Sequence, residues 1–246
     1  MLSQYDQGWS GDYSSEIVNA EFFVSDRGQT DPFAEFAAFQ QLIQASAENG
    51  KHEETLCRFP ARLLLFEQHG LLPAAWRDPS CPEFLAQNQA GAVQSVSLVF
   101  ASGYFDSPSS YYGHVLLKFN FGDDPDEQRA LDASLNYGAN ATDNPASPFY
   151  IAKGLFGGYT ASYTRNDHFL HTYLYTNSQL RDTWEYELDL TDKQIRFLIA
   201  HSWEMLAAEF RYYFFNDNCA HRIAELVEVT TGRDLSDTHG FWLLPT

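Results

Sequence analysis

The spacing of apolar residues divides the chain into a helical first part and a mixed second part. Apolar positions recur at helical spacing over residues 31–48, after a capping aspartate and a first-turn proline, and the run stops before Gly50. A second helix is predicted over about residues 60–69. From about residue 91 the period changes to two. We therefore predict a helical N-terminal subdomain over residues 1–90 and a second domain over residues 91–246.

Alternating apolar and polar residues predict a sheet in the second domain. The predicted strands are 92–100, 114–121, 130–140, 159–164, 183–190 and 211–215. The first three follow one another closely, which favours an antiparallel meander. Thr191 and Gln194 form a capping box before an amphipathic helix that extends to about Phe210, and a last helix runs from about residue 219 to Gly232. The expected fold class is α+β, an antiparallel sheet flanked by helices.

Composition limits the classes of function. The 246 residues include 33 acidic and 15 basic side chains, for a net charge of −18, and 44% are hydrophobic. The chain can therefore bury a core, and it has no basic stripe for nucleic-acid phosphates, so we expect no nucleic-acid partner. No apolar stretch reaches the roughly 18 residues of a membrane span, and the first ten residues lack both a basic and an apolar segment. The chain is expected to be soluble as given.

The three cysteines are Cys57, Cys81 and Cys219. The first two stand 24 residues apart in similar surroundings, so one disulfide and one odd thiol is the simplest interpretation. A bridge over that loop contributes roughly 3 to 4 kcal/mol in the chain-entropy model and requires an oxidising compartment. Two buried thiols are the alternative.

Metal ligands are sparse. His168 and His171 form an HxxH word, but no third ligand follows at a recognisable spacing, and the sequence contains no CxxC pair. We expect neither a metal nor a cofactor.

Cys219 is the strongest candidate for chemistry. Asn218 is a favoured N-cap, which places Cys219 at the first helical position, where free N–H groups and the helix dipole stabilise a thiolate. On a helical wheel Ile223, Leu226 and Thr230 share its face, so the sulfur is expected to point inward. The alternative is a small buried apolar residue at a helix start.

A thiolate nucleophile needs a base. His221 is nearest in sequence, but two residues along a helix turn it about 200° away. His114 opens a strand after a Gly- and Ser-rich connection, and a strand-end histidine opposite a cysteine at a helix start is the papain-type arrangement. A surface or turn histidine is the alternative.

These words resemble a known group of thiol enzymes. NDNCAHRIAEL resembles the nucleophile motif of the lecithin retinol acyltransferase group, and SSYYGHVLLKF resembles its histidine-bearing strand. Over nearly the whole chain, CRFPARLLLFE, SVSLVFASGYFDSPSSYYGHVLLKF, LNYGAN and FFNDNCAHRIAELV resemble the periplasmic domain of the bacterial lipoprotein N-acyltransferase family Lnb. The resemblance implies a circularly permuted papain-like fold of the NlpC type, with histidine before cysteine, and a periplasmic location. It also favours a disulfide between Cys57 and Cys81.

The resemblance implies a role for each catalytic residue. Cys219 is expected as the nucleophile and His114 as the base. The third group in the wider superfamily is a polar residue on the strand next to the histidine strand, and Asn136 is the candidate, because an amide can accept from imidazole Nδ1–H. A solvent-facing strand asparagine is the alternative.

Four further residues are expected around the substrate. Ser109, Ser110 and Tyr112 match the family's Ser-rich word and either line the site or form the turn, and Asn218 belongs to the cysteine word.

The expected function is acyl transfer through a thioester. The thiolate attacks an ester carbonyl of an acyl-bearing lipid or lipoprotein, and an amine or water accepts the acyl chain. The alternatives are a cell-wall peptide amidase of the same fold and a catalytically silent envelope binding module. Lnb-type enzymes carry transmembrane segments that this sequence does not contain. Either such segments lie outside it and supply membrane association, or this member has another function.

Overall fold

The computed structural model describes residues 5–7, 12–88, 93–104, 111–122, 132–141, 148–215 and 217–235. The helices are α1 Pro32–Asn49, α2 Glu53–Cys57, α3 Pro60–Gln68, α4 Pro82–Gln87, α5 Pro148–Leu155, α6 His168–Thr172, α7 Asp192–Met205 and α8 Cys219–Thr231. The strands are β1 Tyr5–Gln7, β2 Tyr13–Ser15, β3 Val93–Ala101, β4 His114–Phe121, β5 Ala133–Ala139, β6 Tyr159–Asp167, β7 Thr183–Glu187 and β8 Glu209–Tyr212. The chain is thus α+β. It divides into two compact units.

The first unit comprises Met1–Ala90 and Ile199–Phe210. Helix α1 begins where predicted, because the side chain of Asp31 accepts hydrogen bonds from the N–H groups of Phe33 and Ala34. It ends at Gly50, which has φ 65° and closes the helix in the left-handed conformation.

A buried arginine organises the core of this unit. The Arg62 guanidinium pairs with Glu35 and Glu204, and it lies over the rings of Phe22, Phe39 and Phe59. Burial raises the pKa of Glu204 to about 7, although the Arg62 charge acts to lower it. The core of this unit therefore contains a carboxyl group that titrates near neutral pH.

Cys57 and Cys81 are joined in a disulfide, with their Cα atoms 5.4 Å apart. This confirms the predicted pair and excludes two buried thiols. The backbone oxygen of Cys57 also accepts a hydrogen bond of 2.9 Å from the indole of Trp203, in the second segment of the same unit. The bridge thus lies next to a contact that joins the two segments.

The second unit comprises Gly91–Leu198 and Arg211–Thr246 and contains strands β3 to β7. These strands belong to a six-stranded sheet of order β7-β3-β4-β5-β6-β8. The pairs β3–β4, β4–β5, β5–β6 and β3–β7 are antiparallel, which confirms the predicted meander. Helix α8 packs on β4 and β5. The hydroxyl of Tyr163 in β6 donates to the backbone oxygen of Arg222 and fixes that helix on the sheet.

Several predicted boundaries are wrong. Helix α7 ends at Met205, and Phe210 lies in β8, where the strand rather than the helix buries its ring. Because β8 begins at Glu209, the predicted strand 211–215 starts too late and extends too far. The sequence pattern predicts neither α5 nor α6, nor the π-helical turn Tyr173–Ser178 that follows α6.

Candidate active site

Cys219 is the first residue of α8. The side-chain oxygen of Asn218 accepts hydrogen bonds from the N–H groups of Ala220 at 3.0 Å and His221 at 3.2 Å, and this cap defines where the helix begins. Cys219 is a buried free thiol. Ile223, one turn further on, is also buried, as the helical wheel predicts.

The structure brings together the cysteine, the histidine and the asparagine named from the sequence. His114 begins β4 and forms a hydrogen bond with the Cys219 side chain. On its other side, Nε2 of His114 is bonded to Oδ1 of Asn136 in the neighbouring strand β5. The Nδ2 group of Asn136 donates to the Thr164 hydroxyl at 3.4 Å, which orients the amide oxygen toward the imidazole.

The imidazole nitrogen that meets Asn136 differs from the expected one. The sequence-based expectation has the amide accept from Nδ1–H, whereas the bond in the structure is to Nε2. Because the amide oxygen only accepts, Nε2 carries the proton in this arrangement. Nδ1 is therefore left to exchange a proton with the thiol.

The surroundings of Cys219 favour its thiolate. Burial alone raises the pKa of the thiol, because the charged form loses its hydration. The charge and hydrogen bond of His114 act in the opposite direction, as do hydrogen bonds from the backbone of Val115 and Ala220. Together these contacts outweigh burial and hold the pKa of Cys219 below its ordinary value.

The surroundings of His114 favour its protonated form. Burial acts to lower the pKa of His114, while the Cys219 thiolate and the bond to Asn136 raise it, and the Arg181 charge lowers it. The net result is a pKa above the ordinary value. The two shifts agree: both stabilise a thiolate and imidazolium pair.

A cavity of about 730 Å³ adjoins this pair, within the range of roughly 300 to 1,000 Å³ usual for small-molecule sites. Cys219, His114 and Asn136 all line it. Its aromatic lining residues are Tyr111, Tyr112, Tyr137, Tyr150, Tyr159, Tyr175, Tyr212, Phe214 and Phe215. Cys219 and His114 therefore face a chamber whose walls are mainly aromatic rings.

Arg181 is a cavity residue that the sequence did not indicate. Its buried guanidinium donates to the backbone oxygens of Ala101 and Ser102 and to the side chain of Gln179, and it lies 4.7 Å from the ring centroid of Tyr175. These bonds fix a positive charge in the cavity wall. A single arginine in an irregular segment carries no motif that marks it.

His171 is a second missed residue, and its ring packs 5.6 Å from that of Tyr175. Its Nε2 atom is buried without a hydrogen-bond partner among the described residues. Burial, together with the charges of His114 and His168, lowers the pKa of His171 to about 4. In the sequence His171 stands only in the HxxH motif, which lacks a third metal ligand and therefore indicates no role for it. The described part of the chain has no group of three or more side chains suited to a metal ion.

The remaining predicted residues have different positions. Tyr112 lines the cavity and packs against Phe214. Asn218 is not among the lining residues, because its side chain caps α8. Ser109 and Ser110 lie outside the described residues.

Comparison with protein families identifies most of this chain. The model of the Lnb N-terminal periplasmic domain matches residues 83–243, which contain the whole candidate site. The chain belongs to the Lnb N-terminal periplasmic domain family. This Lnb domain is therefore periplasmic. Residues 1–69 match a domain of unknown function, DUF7843.

Two other comparisons give no relative of the Lnb domain. No curated protein and no solved structure matches the chain. Among the described residues, no helix is both long enough and apolar enough to cross a membrane.

Proposed function

We propose that this Lnb domain transfers acyl groups through a thioester on Cys219, as a lipoprotein N-acyltransferase of the cell envelope. The observation that carries the proposal is the hydrogen-bonded series Cys219, His114 and Asn136 on the wall of an apolar cavity. We also propose a circularly permuted papain-like fold, supported by a cysteine at the start of α8 and a histidine at the start of β4 that precedes it in the chain.

The chemistry divides into two balanced steps. The Cys219 thiolate attacks the ester carbonyl, the carbon–oxygen bond of the ester breaks, and His114 gives its proton to the departing alcohol. An amine then attacks the thioester, His114 takes the amine proton, and the thiolate leaves as the amide forms. Asn136 keeps the ring oriented through both steps by holding Nε2. No oxidant, reductant or cofactor is required.

The lining of the cavity favours a fatty acyl chain, and not a cell-wall peptide, as the substrate group that it binds. Its walls combine the aromatic rings with Ile151, Leu155 and Leu174. None of its described lining residues is an Asp or a Glu. A charged cell-wall peptide would lose hydration there without a carboxylate to pair its amines, whereas a fatty acyl chain gains by leaving water.

The test is to trap the acyl-enzyme. The protein is incubated with p-nitrophenyl octanoate, and its intact mass is measured before and after treatment with hydroxylamine. We expect one octanoyl adduct on Cys219 that hydroxylamine removes, and no adduct on Cys219→Ala. Adding a lipoprotein N-terminal peptide with a free amine should discharge the adduct as an amide.

Two results would favour the alternatives. Cleavage of cell-wall peptides with no octanoyl adduct would indicate the amidase. A wild-type thiol that forms neither an adduct nor a product would indicate a silent binding module.

A further inference from the structure

Large apolar side chains lie exposed in the two segments that line part of the cavity. We define the rim patch as Phe149, Ile151, Phe156, Tyr173, Leu174 and Leu180. Phe156 is 81% exposed and Leu180 is 85% exposed. Ile151 and Leu174 are exposed and also line the cavity, and each of the other four is next in sequence to a lining residue. Exposed large apolar side chains beside a cavity are typical of a surface that binds another molecule.

Helix α5 shows that the patch is not an incidental edge of the core. Tyr150, Ile151 and Leu155 turn one side of this helix toward the cavity. On a helical wheel Phe149 lies about 160° from Ile151, about 140° from Gly154 and about 120° from Leu155, and it is 75% exposed. A helix with apolar residues on the face opposite its packed face has a second apolar environment to meet.

Leu180 adds an independent observation. Its φ is 53°, in the left-handed region that favours glycine or asparagine. The neighbours hold it there, because the N–H of Gln179 donates to the Leu174 oxygen and that of Arg181 donates to the Tyr175 oxygen. An exposed leucine buries little apolar surface within the fold to offset the cost of this conformation. The position is therefore a candidate for contact with another molecule.

The charges of the two chain segments that carry the rim patch indicate what kind of molecule could cover it. Residues 148–156 and 168–181 contain no Asp or Glu, although the whole chain has 33. Lys153 is the only charged residue of the first segment, and its ammonium lies 5.4 Å from the ring centroid of Tyr159. None of the six patch residues carries a carboxylate, so these side chains can enter an apolar medium without dehydrating one. Asp167 and Asp182 lie just beyond the two ends of the second segment.

We propose that the rim patch docks this domain on the surface of a lipid bilayer, with Leu180 and Phe156 inserted among the acyl chains. Docking aligns the cavity mouth with the membrane, so an acyl chain passes from lipid to cavity without crossing water. The attraction is apolar, because a protein of net charge −18 is repelled by anionic headgroups. The proposal does not depend on acyl transfer by Cys219.

The test is co-sedimentation of the full chain with phosphatidylcholine vesicles. We expect the wild type to bind, and 0.5 M sodium chloride not to release it. Replacing a fifth of the lipid with phosphatidylglycerol should weaken binding at low salt, and salt should restore it. The informative variant is Leu180→Asn, which relieves the backbone conformation while removing the inserted side chain. We expect its melting temperature to be unchanged or higher and its vesicle affinity to fall about tenfold.

Matched variants distinguish binding through the rim patch from nonspecific binding through any exposed apolar side chain. Phe156→Glu should abolish binding, whereas Phe33→Glu, at a phenylalanine of the other unit that is 72% exposed, should not change it. Cys219→Ala should bind like the wild type, so a failure of the thioester proposal leaves this result intact.

Three results would overturn the proposal. They are no sedimentation of the wild type, equal losses in Phe33→Glu and Phe156→Glu, and a concentration-dependent dimer that Leu180→Asn converts to a monomer. The last result would mean that a second copy of the chain covers the patch.

Discussion

The reactivity of Cys219 against pH tests the electrostatics of the site directly. His114→Ala removes both the charge and the hydrogen bond that oppose burial of the thiolate. At hydrogen-bonding separation and an effective dielectric constant of 20, a unit-charge pair is worth about 4 kcal/mol, and about 1.4 kcal/mol changes an equilibrium tenfold. Even a third of that interaction therefore lowers the acid ionisation constant of the thiol about tenfold. Burial then acts without its main opponent, so the pKa of Cys219 should rise above its ordinary value.

The assay is the rate of iodoacetamide alkylation from pH 4 to pH 10, since only the thiolate reacts. For the wild type we expect the midpoint below the reference thiol pKa of about 8.5. For His114→Ala the midpoint should shift upward and the rate at pH 7 should fall at least about tenfold. His221→Ala is the matched control. His221 is two residues from Cys219 but pairs with Asp217 and Glu225, so its removal should leave the profile unchanged.

Two outcomes would refute this reasoning. The first is a wild-type profile like that of a simple thiol that does not change in His114→Ala. The second is an equal upward shift in His221→Ala, which would mean that general surface charge, and not the bonded imidazole, sets the reactivity.

Three further expectations follow from the same contacts. Asn136→Ala should lower acyl-transfer kcat about 10- to 100-fold without unfolding, because His114 loses its orienting bond. Unreduced, denatured protein should titrate one thiol, and reduction of Cys57–Cys81 should lower the free energy of unfolding by about 3 to 4 kcal/mol. The pKa of Glu204 is raised to about 7 in the fold, so between about pH 4 and pH 7 the folded state binds a proton that the unfolded state has lost. The free energy of unfolding should therefore fall as the pH rises through this range. In Glu204→Gln, urea unfolding across pH should lose that slope.

Elements with strong local signals were predictable from the sequence. Helix α1 begins at its capping aspartate and ends at its glycine because both act within one turn of chain. The same holds for α8, where the Asn218 cap fixes the position of Cys219. Helix α7 was overextended because Leu206 and Phe210 continue its apolar periodicity, and only the strand pairing of β8 shows that the helix ends earlier.

The site could be predicted as far as its residues lie in motifs. Cys219 and His114 belong to recognisable sequence motifs. The alternation along the predicted strand placed Asn136 on the same face as Asp132 and Ser134. Arg181 was not predictable, because its role depends on carbonyl groups about 80 residues earlier in the chain. His171 had no predicted role, since spacing shows only that two histidines share a turn and not what surrounds them.

The position of Cys219 in the chain also bears on how the protein oxidises in the periplasm. Cys57 and Cys81 are 24 residues apart, whereas Cys219 follows Cys81 by 219 − 81 = 138 residues. Loop-closure entropy favours the shorter loop, and the N-terminal pair is synthesised first. The lowered pKa of Cys219 depends on its contact with His114, which forms only when α8 packs on β4. The order of the cysteines in the chain therefore favours the Cys57–Cys81 pair over a pairing with Cys219.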